Sequence, residues 1–181
     1  MAKHAEEYDL DVSKLIVAGD SVGGNMATVM ALMAKALGNS PKIDFQLLFY
    51  PVTDADFSNE SYQIFANGPW LTKKAMEWFW DQYAPDKKDR QNIYASPLKA
   101  DIEQLKDLPP ALIITDENDV LRDEGEAYAR KLDAAGVETT SVRFNGTFHD
   151  FVMLNALADT AASRTAIDFA ISRLQEVFFA E

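Results

Sequence analysis

The stretch LIVAGDSVGGN, residues 15–25, constrains the fold more than any other part of the chain. An apolar run ends there in a glycine, an acid, a serine and two more glycines, and a segment rich in Ala, Met and Leu follows at once. Strand, sharp turn and helix in succession are what a parallel sheet needs where a strand hands over to its crossover. Within the turn, GDSVG fits G-x-S-x-G from Gly19 through Asp20 and Ser21 to Gly23, with Gly24 next. With 8 glycines in 181 residues, chance supplies roughly 0.02 such matches, before the strand-turn-helix setting is counted. So sharp a turn forces the serine into strained backbone angles, and glycine is expected two residues to either side because side chains there would collide. The geometry lifts the Ser21 hydroxyl clear of the sheet and puts the Val22 N–H at a helix N-terminus, where a developing oxyanion is favoured. The plain alternative is a turn that cradles a phosphate, but the stretch is neither G-x-G-x-x-G nor a P-loop, because no lysine follows.

The remaining pattern alternates strands with helices. Residues 2–8 read as the end of a helix, 14–18 as a buried strand and 25–37 as a helix; KIDFQLLFYP is a second strand, closed by Pro51. PPALIITDEND is a third strand, RDEGEAYARKLDAAG a helix stopped by Gly136, and TTSVRFNG the fourth strand. Over 159–179, Ala162, Ala166, Phe169 and Leu174 fall on or near one helical face. The expected architecture is a single three-layer α/β domain over 1–181, with a mostly parallel sheet of about four strands flanked by helices. Between 53 and 106 the pattern loosens into loops around the helix TKKAMEWFWDQYA, with Thr72 as its N-cap.

A hydroxyl nucleophile needs a base, and the chain has 2 histidines. His4 lies in a polar segment without turn or acid motif around it. His149 follows the fourth strand in FNGTFHDF, where a parallel sheet presents functional groups at its carboxyl edge. The acid that should orient it comes from TDENDVLRDEG, which offers Asp116, Glu117, Asp119, Asp123 and Glu124. Asp116 closes the strand, while Asp123 and Glu124 open the next helix, where acids favour the N-terminal dipole anyway. Asp119, in the connecting loop, has no such structural role to explain it. The order Ser21, Asp119, His149 is that of α/β-hydrolases, not of the chymotrypsin or subtilisin types.

VAGDSVGGN, SPL, LPPALIITDENDVLRDEGEAYARKLDAAGV and GTFHDF together resemble the hormone-sensitive-lipase-like esterases of the α/β-hydrolase fold, over nearly the whole chain. The resemblance implies Ser21 as nucleophile, Asp119 as triad acid, His149 as base and hydrolysis of short- to medium-chain carboxylic esters through an acyl-enzyme, with no metal or cofactor. Three departures stand out: Val22 replaces the usual alanine, Val120 a proline and Asp150 a glycine. The resemblance further implies a longer, eight-stranded chain with an early H-G-G-G segment that supplies oxyanion donors. The present sequence reads as a truncated version of that fold, with a partial cap at about 54–100. A bared nucleophile strand invites pairing. The expectation is therefore a homo-oligomer joined through 14–18, or pairing with a separate N-terminal half. GDSL-type hydrolases are a poorer match, because they place an aspartate three residues before the histidine, where Gly146 stands. A hydrolase relic serving as a binding module is the non-enzymatic alternative, and Trp78, Phe79 and Trp80 could line an acyl pocket or simply be core.

The formal charge of −12, with no basic cluster, argues against nucleic acid and anionic membrane surfaces as partners. The absence of cysteine excludes disulfides, thiolate metal sites and cysteine nucleophiles. The polar start MAKHAEEYDLDVSK resembles no signal peptide, and a cytoplasmic protein without a membrane span is expected.

Overall fold

The computed structural model describes residues 4–39 and 41–179. Four strands, β1 (Ile16–Asp20), β2 (Phe45–Phe49), β3 (Ala111–Asn118) and β4 (Thr139–Phe148), form one fully parallel sheet in sequence order. Helix α1 (Val22–Ala36) follows β1, α5 (Arg122–Ala134) follows β3 and α6 (Ala161–Phe179) follows β4. The long β2–β3 connection carries three helices, α2 (Glu60–Ile64), α3 (Lys73–Tyr83) and α4 (Ile102–Leu105).

Neighbouring residues of a strand point to opposite faces, and both faces here are apolar. Leu48 and Ile113 go one way, into a core with Ala27, Ala31 and Leu32 of α1 and Tyr128 and Leu132 of α5. Leu47, Leu112 and Ile114 go the other way, against Ala166 and Ala170 of α6, with Ala162, Phe169 and Leu174 packed around them. Full burial of a side chain such as Leu112 or Ile113 contributes about 1.5–3 kcal/mol each, so the two cores hold all three layers together. A third cluster lies beyond the carboxyl edge of the sheet, where Met76 and Trp80 of α3 and Tyr62 of α2 pack on Val52, Val120 and Leu121 from the loops after β2 and β3. This connection is thereby fixed above the ends of β2 and β3.

Some element bounds differ from the sequence expectation. Within 2–8, the described part forms only a 3₁₀ turn at Glu6–Tyr8, and residues 2 and 3 lie outside the described residues. The first strand sits two residues later than expected, and α1 begins at Val22, directly after the serine, not at Asn25. Helix α2 was not expected; Asn59 starts it by accepting from the Tyr62 N–H at 3.0 Å. Thr72 caps α3 as its sequence suggested, accepting from Ala75 N–H at 3.1 Å. β4 runs on to Phe148, and at the register shift between Asp116 and Asn118 a step of two residues in β3 is matched by four in β4, so the extra residues lie in β4. No described helix is long and apolar enough to cross a membrane.

Candidate active site

Because all four strands run in parallel, their carboxyl ends share one edge, and the loops leaving β1, β3 and β4 meet there. Ser21 occupies the β1–α1 turn with φ 52° and ψ −119°, a strained conformation for an L-residue. Its backbone is held on both sides: the Ser21 N–H donates to Phe49 O at 2.9 Å, and its carbonyl accepts from Val52 and Asn25, each at 3.2 Å. A Cβ on Gly19 would sit 2.2 Å from the Gly23 carbonyl carbon, so glycine is obligatory at that position. At Gly23 the expected collision is absent, since a Cβ would meet only Asp20 Oδ1 at 3.8 Å. The crowded partner of Gly19 is instead Gly24, where a Cβ would lie 2.8 Å from the Pro51 side chain.

His149, Asp119 and Ser21 come together across 128 and 30 residues of sequence. His149 Nε2 lies 2.9 Å from Ser21 Oγ, and Nδ1 lies 2.8 Å from Asp119 Oδ2. Asp119 Oδ1 accepts from the Leu121 N–H at 3.1 Å, which fixes the carboxylate plane. The imidazole tautomer protonated at Nδ1 satisfies both contacts, donating to Asp119 and accepting from Ser21. Burial disfavours imidazolium, but the adjacent Asp119 carboxylate, helped by Asp150 and Asp20, outweighs it and raises the His149 pKa above its ordinary value. The Tyr50 ring packs against the imidazole, its centroid 4.9 Å away. Val22 is the first residue of α1, so its N–H is one of the donors without a partner inside the helix and points from the positive end of the dipole.

Several contributors were not anticipated. Asn25 Nδ2 donates to Val52 O and Ala95 O, both at 2.9 Å, tying the start of α1 to the β2–β3 connection. Glu124 opens α5 as expected, yet it is buried and accepts from Thr53 N–H at 2.7 Å and Asp54 N–H at 3.1 Å. Burial, only partly offset by those two donors, raises its pKa well above the usual carboxylate range. Asp150 has φ 68°, a conformation that glycine adopts freely and Asp tolerates. Its Oδ2 accepts from Trp70 Nε1 at 2.9 Å, while Oδ1 lies 3.5 Å from His149 Nε2. Asp116 was expected only to close the strand; it lies within β3, and its carboxyl joins those of Asp119 and the His149 ring within 4.8 Å. Asp119 and Nδ1 are already committed to each other there. His4 is exposed, with Glu7 as its partner.

A cavity of about 510 Å³ opens beside Ser21 and His149. Trp70, Leu71, Met76, Phe79, Trp80 and Tyr83 line it, so the site is apolar except where Ser21, Asn25, His149 and Asp150 face it. Of the aromatic run in α3, Phe79 and Trp80 reach the cavity, Trp80 also belongs to the core beneath, and Trp78 is exposed and does not line it.

The alpha/beta hydrolase fold family model matches residues 1–153. A putative alpha/beta hydrolase, R526, of Acanthamoeba polyphaga mimivirus is 45% identical over 174 residues, which is 96% of this chain and 50% of that protein. The ethyl acetate hydrolase of Pseudomonas putida is 36% identical over 161 residues, covering 89% of this chain and 50% of the relative. The crystal structure of a thermostable esterase from Pseudomonas putida ECU1011 superposes with a TM-score of 0.96 at 56% identity, over 99% of this chain and 56% of that one. The chain thus spans about half the length of the relatives it matches. With that match over most of its length, and with serine, acid and histidine arriving in the order that the sheet edge requires, the chain belongs to the alpha/beta hydrolase fold family, on its hormone-sensitive-lipase-like branch.

Proposed function

We propose that the chain hydrolyses small carboxylic esters, of short to medium acyl length, with Ser21 as nucleophile, His149 as general base and acid, and Asp119 orienting the imidazole. The observation that carries this reading is the unbroken relay from Ser21 Oγ through His149 to Asp119, at 2.9 and 2.8 Å, opening on an apolar cavity. Similarity to an ethyl acetate hydrolase and to crystallised esterases supports the same chemistry.

In this mechanism Ser21 Oγ attacks the ester carbonyl while Nε2 takes its proton, and the imidazolium is stabilised by Asp119. The oxyanion forms beside the Val22 N–H at the start of α1. Collapse expels the alcohol, which receives the proton from Nε2. A water activated by the same nitrogen then attacks the acyl-enzyme and releases the acid. The apolar wall from α3 takes the acyl or alcohol group, which needs no charged partner. No step calls for a metal or cofactor.

The further oxyanion donors that the family resemblance places in an H-G-G-G segment would lie on the β1 side of the sheet. There β1 is an edge strand among the described residues, and Val22, Met26, Met30 and Met33 of α1 and Leu37 just after it are exposed. This face fits another strand and its apolar neighbours, from a second copy or from an N-terminal half. Each oxyanion donor is worth about 10²- to 10³-fold in rate, so coverage of this face sets how active the chain is. Hydrolysis of p-nitrophenyl acetate and butyrate, beside Ser21→Ala and with mass from light scattering, tests the whole reading. Turnover that the Ser21 variant lacks is the expected result. Equal rates for the two proteins would mean that these residues do not complete the chemistry without an N-terminal half, and failure of a fluorophosphonate to label Ser21 would leave a hydrolase-derived binding domain as the function.

A further inference from the structure

Asp116 is a second acid at the triad, and the roles given above to Ser21, His149 and Asp119 leave it unused. Strand alternation puts it on the same face as Leu112 and Ile114, at the end of an apolar stripe, with no exposed surface. Neither of its carboxyl oxygens has a protein donor. The ionisable groups around it are Tyr50 after β2, Asp119 in the β3–α5 loop, and His149 and Asp150 after β4, with Asp20 at the end of β1 beyond Tyr50 and His149. All but Tyr50 and His149 are carboxyl groups, and the imidazole is already engaged with Asp119 and Ser21.

Two adjacent buried carboxyls cannot both ionise, and their surroundings decide which one does. Asp119 receives two hydrogen bonds, from the Leu121 N–H and from His149 Nδ1, which favour its charged form. Asp116 receives none, and as an anion it would be left buried and unpaired. We infer that Asp116 is a positioning residue of the triad: it stays protonated and donates a hydrogen bond to Asp119, steadying the carboxylate that orients His149. Burial first, and then the Asp119 charge, push the Asp116 pKa far above the carboxylate range, in line with that geometry. The inference rests on the esterase reading only for its effect on His149; the protonation of Asp116 stands apart from it.

The test therefore has two arms. In the first, the rate of Ser21 labelling by a fluorophosphonate is followed against pH for the wild type, Asp116→Asn and Asp116→Ala. A neutral donor is mimicked by the amide, so Asp116→Asn should keep the acid limb of the profile. Asp116→Ala removes the donor, concentrates charge on Asp119 and should move the limb upward. An Asp116 that was really ionised gives the opposite sign in the amide variant: loss of a neighbouring negative charge would drop the limb by about one pH unit, a tenfold change in rate below it. That drop, or identical profiles for all three proteins, overturns the inference.

The second arm needs no activity and compares urea midpoints of the wild type and Asp116→Asn at pH 5 and pH 8. A carboxyl whose folded-state pKa is raised keeps its proton while the unfolded chain releases it, so wild-type stability falls as pH climbs above about 4. The amide variant lacks this loss, and its advantage should grow by up to tenfold in the folding constant per pH unit. A difference that does not change with pH overturns the protonated state, even if Asp116→Ala fails to fold. Absence of Ser21-dependent labelling in the wild type would defeat the esterase reading alone, leaving this second arm intact.

Discussion

Replacing Asp119 with asparagine should cripple Ser21 while leaving the fold in place, and the structure says why. The new amide has one oxygen and one NH₂ where the carboxylate had two acceptors. Asp119 Oδ1 accepts from the buried Leu121 N–H at 3.1 Å, so the amide oxygen is drawn to that side. The NH₂ then faces His149 Nδ1 from the place of Oδ2, at 2.8 Å, and donates to it. The imidazole proton is displaced to Nε2, which can no longer accept from Ser21 Oγ at 2.9 Å. The flipped amide would restore the tautomer but leave the Leu121 N–H opposite another donor, at about 1–3 kcal/mol, so the productive form is roughly 10- to 100-fold rarer. Even that minority lacks the charge that stabilises imidazolium. Together the two effects amount to about 10³- to 10⁴-fold, or ~4–5.5 kcal/mol of barrier. The assay is the second-order rate of fluorophosphonate labelling against wild type and Ser21→Ala, with urea midpoints to show that both variants fold. A loss of less than about tenfold would refute the assignment of Asp119 as the orienting acid.

Four further outcomes follow from the structure. The His149 pKa is raised by Asp119, Asp150 and Asp20 against its burial, so labelling should rise through an acid limb above pH ~6.5; a limb below pH 6 would contradict that balance. By linkage, the stability that His149 contributes is fully present below about pH 6.5 and is lost as pH rises through the folded-state value, which denaturant titrations of wild type and His149→Gln against pH would reveal. Gly19→Ala drives a methyl into the Gly23 backbone and should destabilise by about 3 kcal/mol or more, whereas Gly23→Ala, with its nearest contact at 3.8 Å, should stay within about 1 kcal/mol by urea denaturation. Trp80→Ala empties a core position and should cost about 3–5 kcal/mol, while Phe79→Ala, half exposed at the cavity, should leave stability alone and change the butyrate-to-acetate ratio of kcat/KM.

The fold was legible because its signals were local and mutually consistent. Doubly buried strands such as ALIIT and FQLLF announce themselves as continuous apolar runs, and Pro109, Gly136 and the glycines of the elbow punctuate them. The errors fell where tertiary contacts override local pattern. Gly23 and Gly24 have low intrinsic helix propensity, which places the start of α1 too late in the sequence, yet α1 begins at Val22 because Ser21 is pinned from both sides by Phe49 and Val52. Helix α2 is only five residues long, too short for a periodic signature, and is visible only once Asn59 is seen capping it.

At the site, what could be read was chain order, and what could not was burial. Gly19 is dictated by the close approach of the Gly23 backbone, and Ser21 and His149 follow strands β1 and β4, so residue type and chain order together carry the information. The acids of TDENDVLRDEG are chemically alike in sequence, and five of them compete for the same explanation. Only the structure separates them: Asp119 meets the imidazole, Asp116 is buried without a donor, Glu124 props the loop after β2, Glu117 accepts from the Gly146 N–H and Asp123 from the Ser61 N–H. Only Asp116 and Glu117 lie on β3, where alternation assigns a face; Asp119 is in the loop after it, and Asp123 and Glu124 are in α5. Two carboxyls from one short segment thus converge beside His149, Asp116 from the end of β3 and Asp119 from the loop after it, and no motif records that juxtaposition.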